Sequence, residues 1–352
     1  YILMDAASGD VLVEHNADIP LPPASLTKMM TSYVLAVEMD AGRVGKNDVV
    51  AVSENAWSQN PLFEGSSLMW IEPGKRVTVE ELERGIVISS GNDATVAIAE
   101  HLAGSESGFA DMMNGHAEAL GMEDSYFVNS HGLPSPDHVT TARDLAVLAQ
   151  ALIARFPDHY AIYKEREYTY NDIRQYNRNT LMAEDPSVDG LKTGYTEEAG
   201  YGLVASAERR GMRLISVVLG TRSATARKNE TRKLLNYGFR FYETVEQFGP
   251  AHELEQVRVW KGDRDEVSAG LLDETTLTLP RGKKKVLTTV VEVDEQVLAP
   301  LAVGDRVGLV KLTVDDEAVF EAPLVALEPV AEGGFISRLW DMFVLWILSL
   351  FR

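Results

Sequence analysis

The chain has 352 residues, 45% of them hydrophobic, and a formal net charge of −20. This length supports a substantial core and more than one domain, while the absence of cysteine excludes disulfides, a thiolate nucleophile and cysteine-ligated zinc. An acidic field of this size disfavours nucleic-acid partners, and seven histidines without H-E-x-x-H or tight H-x-H spacing give no sign of a metal site.

The chain opens on Tyr1 without a basic-plus-apolar leader, so any export signal is expected to lie outside it. Residues 1–16 read as a hairpin, two apolar runs around Ala7-Ser8-Gly9. Pro22-Pro23 precede an amphipathic helix expected from about Ser25 to Met39. Further helical patterns are VEELERGIVI, ATVAIAEHLA and GFADMMNGHAEAL. Thr141 to Asp144 resembles a capping box, opening a helix with Leu145, Leu148, Leu152 and Phe156 on one face. YGLVASA and RLISVVLG form a second hairpin around Arg209-Arg210-Gly211, and a helix near residues 226–244 closes this part.

Beyond Gly249-Pro250 the pattern changes to short alternating runs, punctuated at Gly262-Asp263, Pro280-Arg281-Gly282, Gly304-Asp305 and Asp315-Asp316. These features predict a small all-β domain. Thirteen of the last 18 residues are apolar, and Ser337, Arg338, Asp341, Ser349 and Arg352 share a narrow polar stripe. Gly333-Gly334 are expected to detach this helix from the β domain. A helix of that length is about 27 Å long, short of the ~30 Å hydrocarbon layer. Lying in the membrane interface is therefore favoured over spanning or core packing, with apolar burial dominant and Arg338 and Arg352 assisting. The expected boundaries are 1–248, 249–331 and 332–352.

Ser25-Leu26-Thr27-Lys28 is the chain's only S-x-x-K. On a helix this spacing places hydroxyl and amine on one face, and free N–H groups of the first turn favour developing negative charge. Ser25 is a candidate acyl-transfer nucleophile with Lys28 as its base, provided that burial or a second cation depresses the lysine. Lys192-Thr193-Gly194, just before the second hairpin, can supply that cation on an edge strand, and Gly194 allows a ligand close to the backbone. Of three S-x-N triplets, Ser90-Gly91-Asn92 is singled out because it forms a polar elbow between apolar helical runs; a helix cap at Asn92 or Asp93 is compatible with this role.

SLTK, SGN and KTG, in that order, resemble the penicillin-recognising serine acyltransferases. The longer stretches PASLTKMMTSYV, GSSLM, SGNDATVAIAEH, VDGLKTGYTEEAGYGLVASA and KLLNYGFRFYET resemble the low-molecular-mass D-alanyl-D-alanine carboxypeptidases, serine peptidase family S11. The resemblance implies an α/β transpeptidase-like domain, with an antiparallel sheet flanked by helices, followed by a β-sandwich-like domain and an amphipathic helix. It implies removal of the terminal D-alanine from peptidoglycan stem peptides through an acyl-enzyme, covalent inhibition by β-lactams, and a place on the periplasmic face of a bacterial inner membrane. No metal or organic cofactor is implied.

By the same resemblance Ser25 attacks, Lys28 takes its proton and Ser90 relays a proton to the leaving amine. Asn92, Lys192, Thr193, Gly194, Tyr195 and Arg227 bind substrate, with the N–H groups of Ser25 and Tyr195 as the oxyanion hole. Arg178 falls near the cleft in a structural role, and His131 fixes a loop. Tyr195 stands where relatives often carry histidine and Thr221 where they often carry glycine. A β-lactamase is disfavoured because no E-x-x-L-N element is present. A D,D-endopeptidase or a weakly active penicillin-binding scaffold are the remaining alternatives.

Overall fold

The first hairpin forms because Asp5 caps its own turn: the carboxylate accepts the amides of Ala7 and Ser8, and Gly9 turns the chain at φ +77°. The computed structural model describes residues 1–349. Two compact units divide after Arg240.

In the first unit, β1 (Ile2–Asp5) pairs with β2 (Val11–Glu14). Short hairpins β3 (Val49–Ala51) with β4 (Arg76–Thr78), and β5 (Glu167–Tyr170) with β6 (Ile173–Tyr176), stand apart. Strands β7 (Val188–Thr196), β8 (Gly200–Arg209) and β9 (Met212–Thr221) complete an antiparallel sheet of order β2-β1-β9-β8-β7. Arg210 and Gly211 both take positive φ, the backbone that a two-residue hairpin of matching twist requires. This places β7 at the sheet edge, where alternate backbone groups face away from β8.

The flanking helices are α1 (Lys28–Asp40), α2 (Val79–Arg84), α3 (Asn92–Ala103), α4 (Glu106–Leu120), α5 (Ala142–Arg155), α6 (Pro157–Ile162), α7 (Leu181–Glu184) and α8 (Ala224–Phe241). Thr141 caps α5 by accepting the Asp144 amide. Leu145, Leu148 and Leu152 are fully buried in one core with Ile2, Met4, Ile215 and Val217. Each such side chain contributes roughly 2 kcal/mol. A second core gathers Leu35, Phe63, Met69, Leu82 and Ile98. Helix α1 contributes to both, with Met29 and Met30 in the first and Leu35 in the second.

The second unit is the all-β domain that the turn signals predict. Strands β10 (Tyr242–Phe248) and β13 (Thr275–Pro280) form one pair. β11 (His252–Trp260), β12 (Glu266–Leu271), β14 (Leu287–Val293), β15 (Val297–Leu298), β16 (Arg306–Val314) and β17 (Glu317–Ala326) form a sheet of order β14-β16-β17-β12-β11-β15. Val245, Leu277 and Leu279 of the pair pack on Leu312 and Val314 of the sheet.

The chain ends in α9 (Phe335–Ser349). Contrary to expectation, the two glycines do not detach it. The Gly333 amide donates to the Lys261 carbonyl, and a Cβ at Gly333 would lie 2.2 Å from the Gly262 carbonyl oxygen. Asp341 accepts the Lys261 amide at 2.6 Å. Gly333 is thus the residue that lets the backbone lie against the β11–β12 turn. Arg338 is paired with Glu332, so its charge is not free as the sequence suggested, and Arg352 lies outside the described residues. The side chains of Phe335, Ile336 and Trp340 are 75%, 83% and 65% exposed. Among the described residues no helix is long and apolar enough to cross a membrane.

Candidate active site

Ser25 does not start an α-helix as the periodicity suggests. It sits in a 3-10 turn, Ala24–Thr27, ahead of α1. Ala24 is held at φ +50°, and a Cβ at Gly132 would lie 1.8 Å from the Ala24 carbonyl oxygen. Only glycine at 132 lets the following loop press against this turn. Gly194 does the same from β7, where a Cβ would meet the Pro23 carbonyl oxygen at 2.9 Å. Thr27 anchors the turn on the other side. The Val128 amide donates to His138 Nδ1, which leaves Nε2 to donate to Thr27 Oγ1 at 2.7 Å. Burial holds His138 down to about 4, with the charges of His131 and Lys28 in support, so the neutral tautomer is the working one.

Lys28 is 1% exposed. Its Nζ lies 3.1 Å from Ser25 Oγ and donates to Asn92 Oδ1 at 2.6 Å and to the His131 carbonyl at 2.7 Å. Burial first, then the Arg178 charge, lowers this amine to about 7, against the pull of Asp93. The amide of Asn92 in turn donates to Ser66 Oγ at 2.9 Å.

A π-turn, Gly85–Ser89, leads into Ser90, which takes a left-handed backbone at φ +59°. That strained elbow aims Ser90 Oγ at Lys192 Nζ, 2.9 Å away. Lys192 is buried as well. Its ammonium is destabilised first by desolvation, then by the charges of Lys28, Arg178 and Arg227. Asn92 opens α3 without a side-chain cap, so the expected capping role is not found there. Asp93 instead binds a neighbouring loop, accepting the amides of Met69, Trp70 and Ile71 together with that of Ala94. This fixes the segment that carries Ser66.

The groups open into a cleft of about 300 Å³ lined by Ser25, Ser90, Asn92, Thr193, Gly194 and Tyr195, and also by Arg178 and Arg227. Every site residue read from the sequence therefore lies in or directly behind one cleft. Tyr195 stacks on Tyr201 at 4.1 Å, and Arg227 lies over the Tyr201 ring. Arg227 Nη1 also donates to the carbonyls of Gly194 and Gly202, which face each other across β7 and β8. His131 is loop-fixing as expected: its ring meets Glu106 at 3.1 Å and accepts the Leu133 amide. The sequence did not single out Ser66 or Asp93 for any function. Asp93 had only local signals, and Ser66 had none beyond its place in GSSLM.

A hydroxyl beside a buried amine lowered to about 7, with a second lysine held on a serine, fits a serine acyl-transfer site. The family model described as D-alanyl-D-alanine carboxypeptidase matches residues 1–223, and that of the penicillin-binding protein 5 C-terminal domain matches residues 242–332. The chain is 47% identical over 348 residues to D-alanyl-D-alanine carboxypeptidase DacC of Escherichia coli K12, covering 98% of this chain and 87% of that protein. DacA of the same organism is 46% identical, over 97% and 85% respectively. Penicillin-binding protein 5 from Haemophilus influenzae superposes with a TM-score of 0.92 at 40% identity, covering 94% of this chain and 96% of that one. Penicillin-binding protein D2 from Listeria monocytogenes, solved with cefotaxime bound, superposes at 0.61 and 30% identity over 68% and 95%. The chain belongs to the D-alanyl-D-alanine carboxypeptidase family, peptidase family S11, and is a serine carboxypeptidase with a penicillin-binding protein 5 type C-terminal domain.

The close approach at Gly132 gives a direct check. Gly132→Ala, strained at φ +89° and clashing with Ala24, should destabilise the protein by about 2–4 kcal/mol. A fall in melting temperature of roughly 5–10 °C is expected by scanning calorimetry; an unchanged transition would mean that the turn moves aside without cost.

Proposed function

We propose that Ser25 is the nucleophile and Lys28 its general base in removing the terminal D-alanine from peptidoglycan stem peptides. The observation that carries this reading is the hydrogen-bonding of Lys28. A neutral amine has two N–H bonds and one lone pair. Asn92 Oδ1 and the His131 carbonyl take the two N–H bonds, which leaves the lone pair for the hydroxyl of Ser25.

The Ser25 proton passes to Lys28 as Oγ bonds to the carbonyl carbon of the penultimate D-alanine. The backbone N–H groups of Ser25 and Tyr195 receive the oxyanion. Ser90, hydrogen-bonded to Lys192, relays the proton taken up by Lys28 to the departing nitrogen as the C–N bond breaks, so that D-alanine leaves and Lys28 is neutral again. Water then adds to the acyl carbon and gives a proton to Lys28, which returns it to Ser25 Oγ as the ester C–O bond breaks and the shortened peptide is released. Asn92, fixed between Lys28 and Ser66, orients the substrate amide. On the wall assigned to its carboxyl end, Lys192 and Arg227 supply the basic groups, Thr193 a hydroxyl and Gly194 a close backbone. β-Lactams acylate the same serine.

Catalysis is assigned to residues 1–248 and a non-catalytic β domain to 249–331. Residues 332–352, of which 350–352 lie outside the described residues, are assigned to a membrane contact. The described α9 is about 22 Å long, short of a hydrocarbon layer of about 30 Å, and its exposed Phe, Ile and Trp side chains suit the interface plane. In a bacterium with an outer membrane, the corresponding proposal is a peripheral protein at the periplasmic face of the inner membrane.

Incubation with a fluorescent penicillin should give stoichiometric labelling that Ser25→Ala abolishes, together with D-alanine release from a pentapeptide; labelling that persists in the variant removes the nucleophile. Because Lys28 must be uncharged and its amine titrates at about 7, the acylation rate should climb roughly tenfold per pH unit below 6.5 and level off above about 8. A profile flat through this range excludes Lys28 as a free base. Deleting residues 335–352 should move the protein from sedimenting phospholipid vesicles to the supernatant, and retention on the vesicles would rule out the anchor.

A further inference from the structure

Met69 and Ile71 are fully buried, while Trp70 between them is 44% exposed. The backbone of Trp70 is held at φ +76°, and among the described residues no other aromatic residue takes a positive φ. A bulky side chain is an outlier in that region and stays there only where its surroundings over-determine it. Here they do. The Ser67 carbonyl accepts the Asn92 amide at 2.8 Å, and the Leu68 carbonyl accepts Gln175 Nε2 at 3.0 Å. The amides of Met69, Trp70 and Ile71 all donate to Asp93, and the Ile71 carbonyl accepts the Ser58 amide at 3.0 Å. A Cβ at Gly91 would lie 2.8 Å from the Met69 nitrogen, so the elbow that carries Ser90 leaves room for this loop.

The pinned segment is continuous with the cleft. Gly65, Ser66 and Ser67 line it, and Trp70, four residues beyond Ser66, does not. The ring itself is unpartnered: among the described residues its N–H makes no hydrogen bond and it stacks on no other ring. The chain on either side is polar, with Gly65-Ser66-Ser67 before the loop and the Glu72–Lys75 ion pair after it. Docking of a protein or a lipid surface calls for a contiguous apolar patch. A single flat aromatic face in polar surroundings, with a free N–H at its edge, fits instead a ligand with one C–H face and a polar rim. A pyranose ring has that shape. A rigid loop that displays the aromatic beforehand also lowers the ordering cost of such a contact.

We propose that Trp70 is a platform, outside the acyl-transfer cleft, for an amino sugar of the glycan strand from which the stem peptide hangs. The assignment rests on the acyl-transfer reading above. Once D-alanine has left a pentapeptide, four residues join the reacting carbon to the sugar, up to about 13–14 Å of extended chain. The loop from Ser66 to Trp70 follows the same number of residues out of the cleft. An N-acetyl sugar joined to its peptide by an amide is neutral, so the acidic exterior of the protein does not oppose the contact.

The test compares wild type with Trp70→Gly and Trp70→Phe in the full chain, on two substrates: a bare pentapeptide ending in D-alanyl-D-alanine, and the same peptide on N-acetylglucosaminyl-N-acetylmuramic acid. Trp70→Gly removes the ring and suits the backbone, because glycine takes φ +76° without strain. Wild type should show the lower KM on the disaccharide peptide. In Trp70→Gly that KM should rise about fivefold, with kcat and the bare-peptide kinetics unchanged and no fall in melting temperature. Trp70→Phe, which keeps a smaller ring, should recover part of the preference. A wild type that treats both substrates alike overturns the proposal, and so does a preference that survives in Trp70→Gly. Equal loss on both substrates with a lowered melting temperature would make Trp70 a structural residue of the loop. Loss of sedimentation with phospholipid vesicles, with the sugar preference intact, would assign the ring to the membrane instead; either result also overturns it. Stoichiometric penicillin labelling of each variant reports that the cleft is folded. A wild-type chain that turns over neither substrate would defeat the acyl-transfer reading itself.

Discussion

Removing a lysine amine from water is the constraint around which this cleft is arranged. An isolated ammonium loses several kcal/mol of hydration when buried, and a protein avoids that cost by giving it partners or letting it lose its proton. Burial moves Lys28 toward the second course, lowering its amine to about 7. Among the described residues no carboxylate lies within hydrogen-bond reach of it, only two neutral acceptors and a hydroxyl. A carboxylate in contact would hold the proton on nitrogen and leave Ser25 without a base. The neutrality of Asn92, where an aspartate would be nearly isosteric, is therefore as much a part of the chemistry as the lysine itself. Asp93, one residue on, is kept from that role by the four amides it accepts, and acts on the amine only as a more distant charge.

Holding such a site requires backbone where side chains do not fit. Gly132 and Gly194 bring a loop and an edge strand against the 3-10 turn bearing Ser25, and a methyl group at either would collide with carbonyl oxygen. Ser90 occupies the left-handed region without being glycine. Strain of that kind costs on the order of 1–3 kcal/mol and persists only where the surroundings over-determine it. Here the π-turn before it and the Lys192 hydrogen bond fix both ends of the displacement.

Much of this was legible in the sequence because it depends on local chemistry. The turn residues at Gly9, Arg210-Gly211 and Asp315-Asp316 require positive φ and so mark their hairpins. The SLTK, SGN and KTG motifs mark three sides of the cleft. The remainder depends on groups distant in sequence. Nothing around Ala24 announces the 3-10 turn, since Gly132 imposes it from more than a hundred residues away. Gly333-Gly334 reads as a hinge by composition; it is a contact because a β-turn happens to offer a carbonyl there. Closeness of approach is a property of the fold, which no residue type encodes.

The overall charge of −20 poses a question about an enzyme whose substrate is itself anionic. Coulomb attraction at the surface is screened within about 8–10 Å at physiological salt, so the acidic exterior slows approach only modestly. Inside the cleft the balance reverses, because the guanidinium groups of Arg178 and Arg227 line it, where screening by salt is weaker, while Asp93 is saturated by backbone amides. The sign change along the path favours a ligand that is small and carries its charge at one end over a long polyanion, which would remain in the repulsive field.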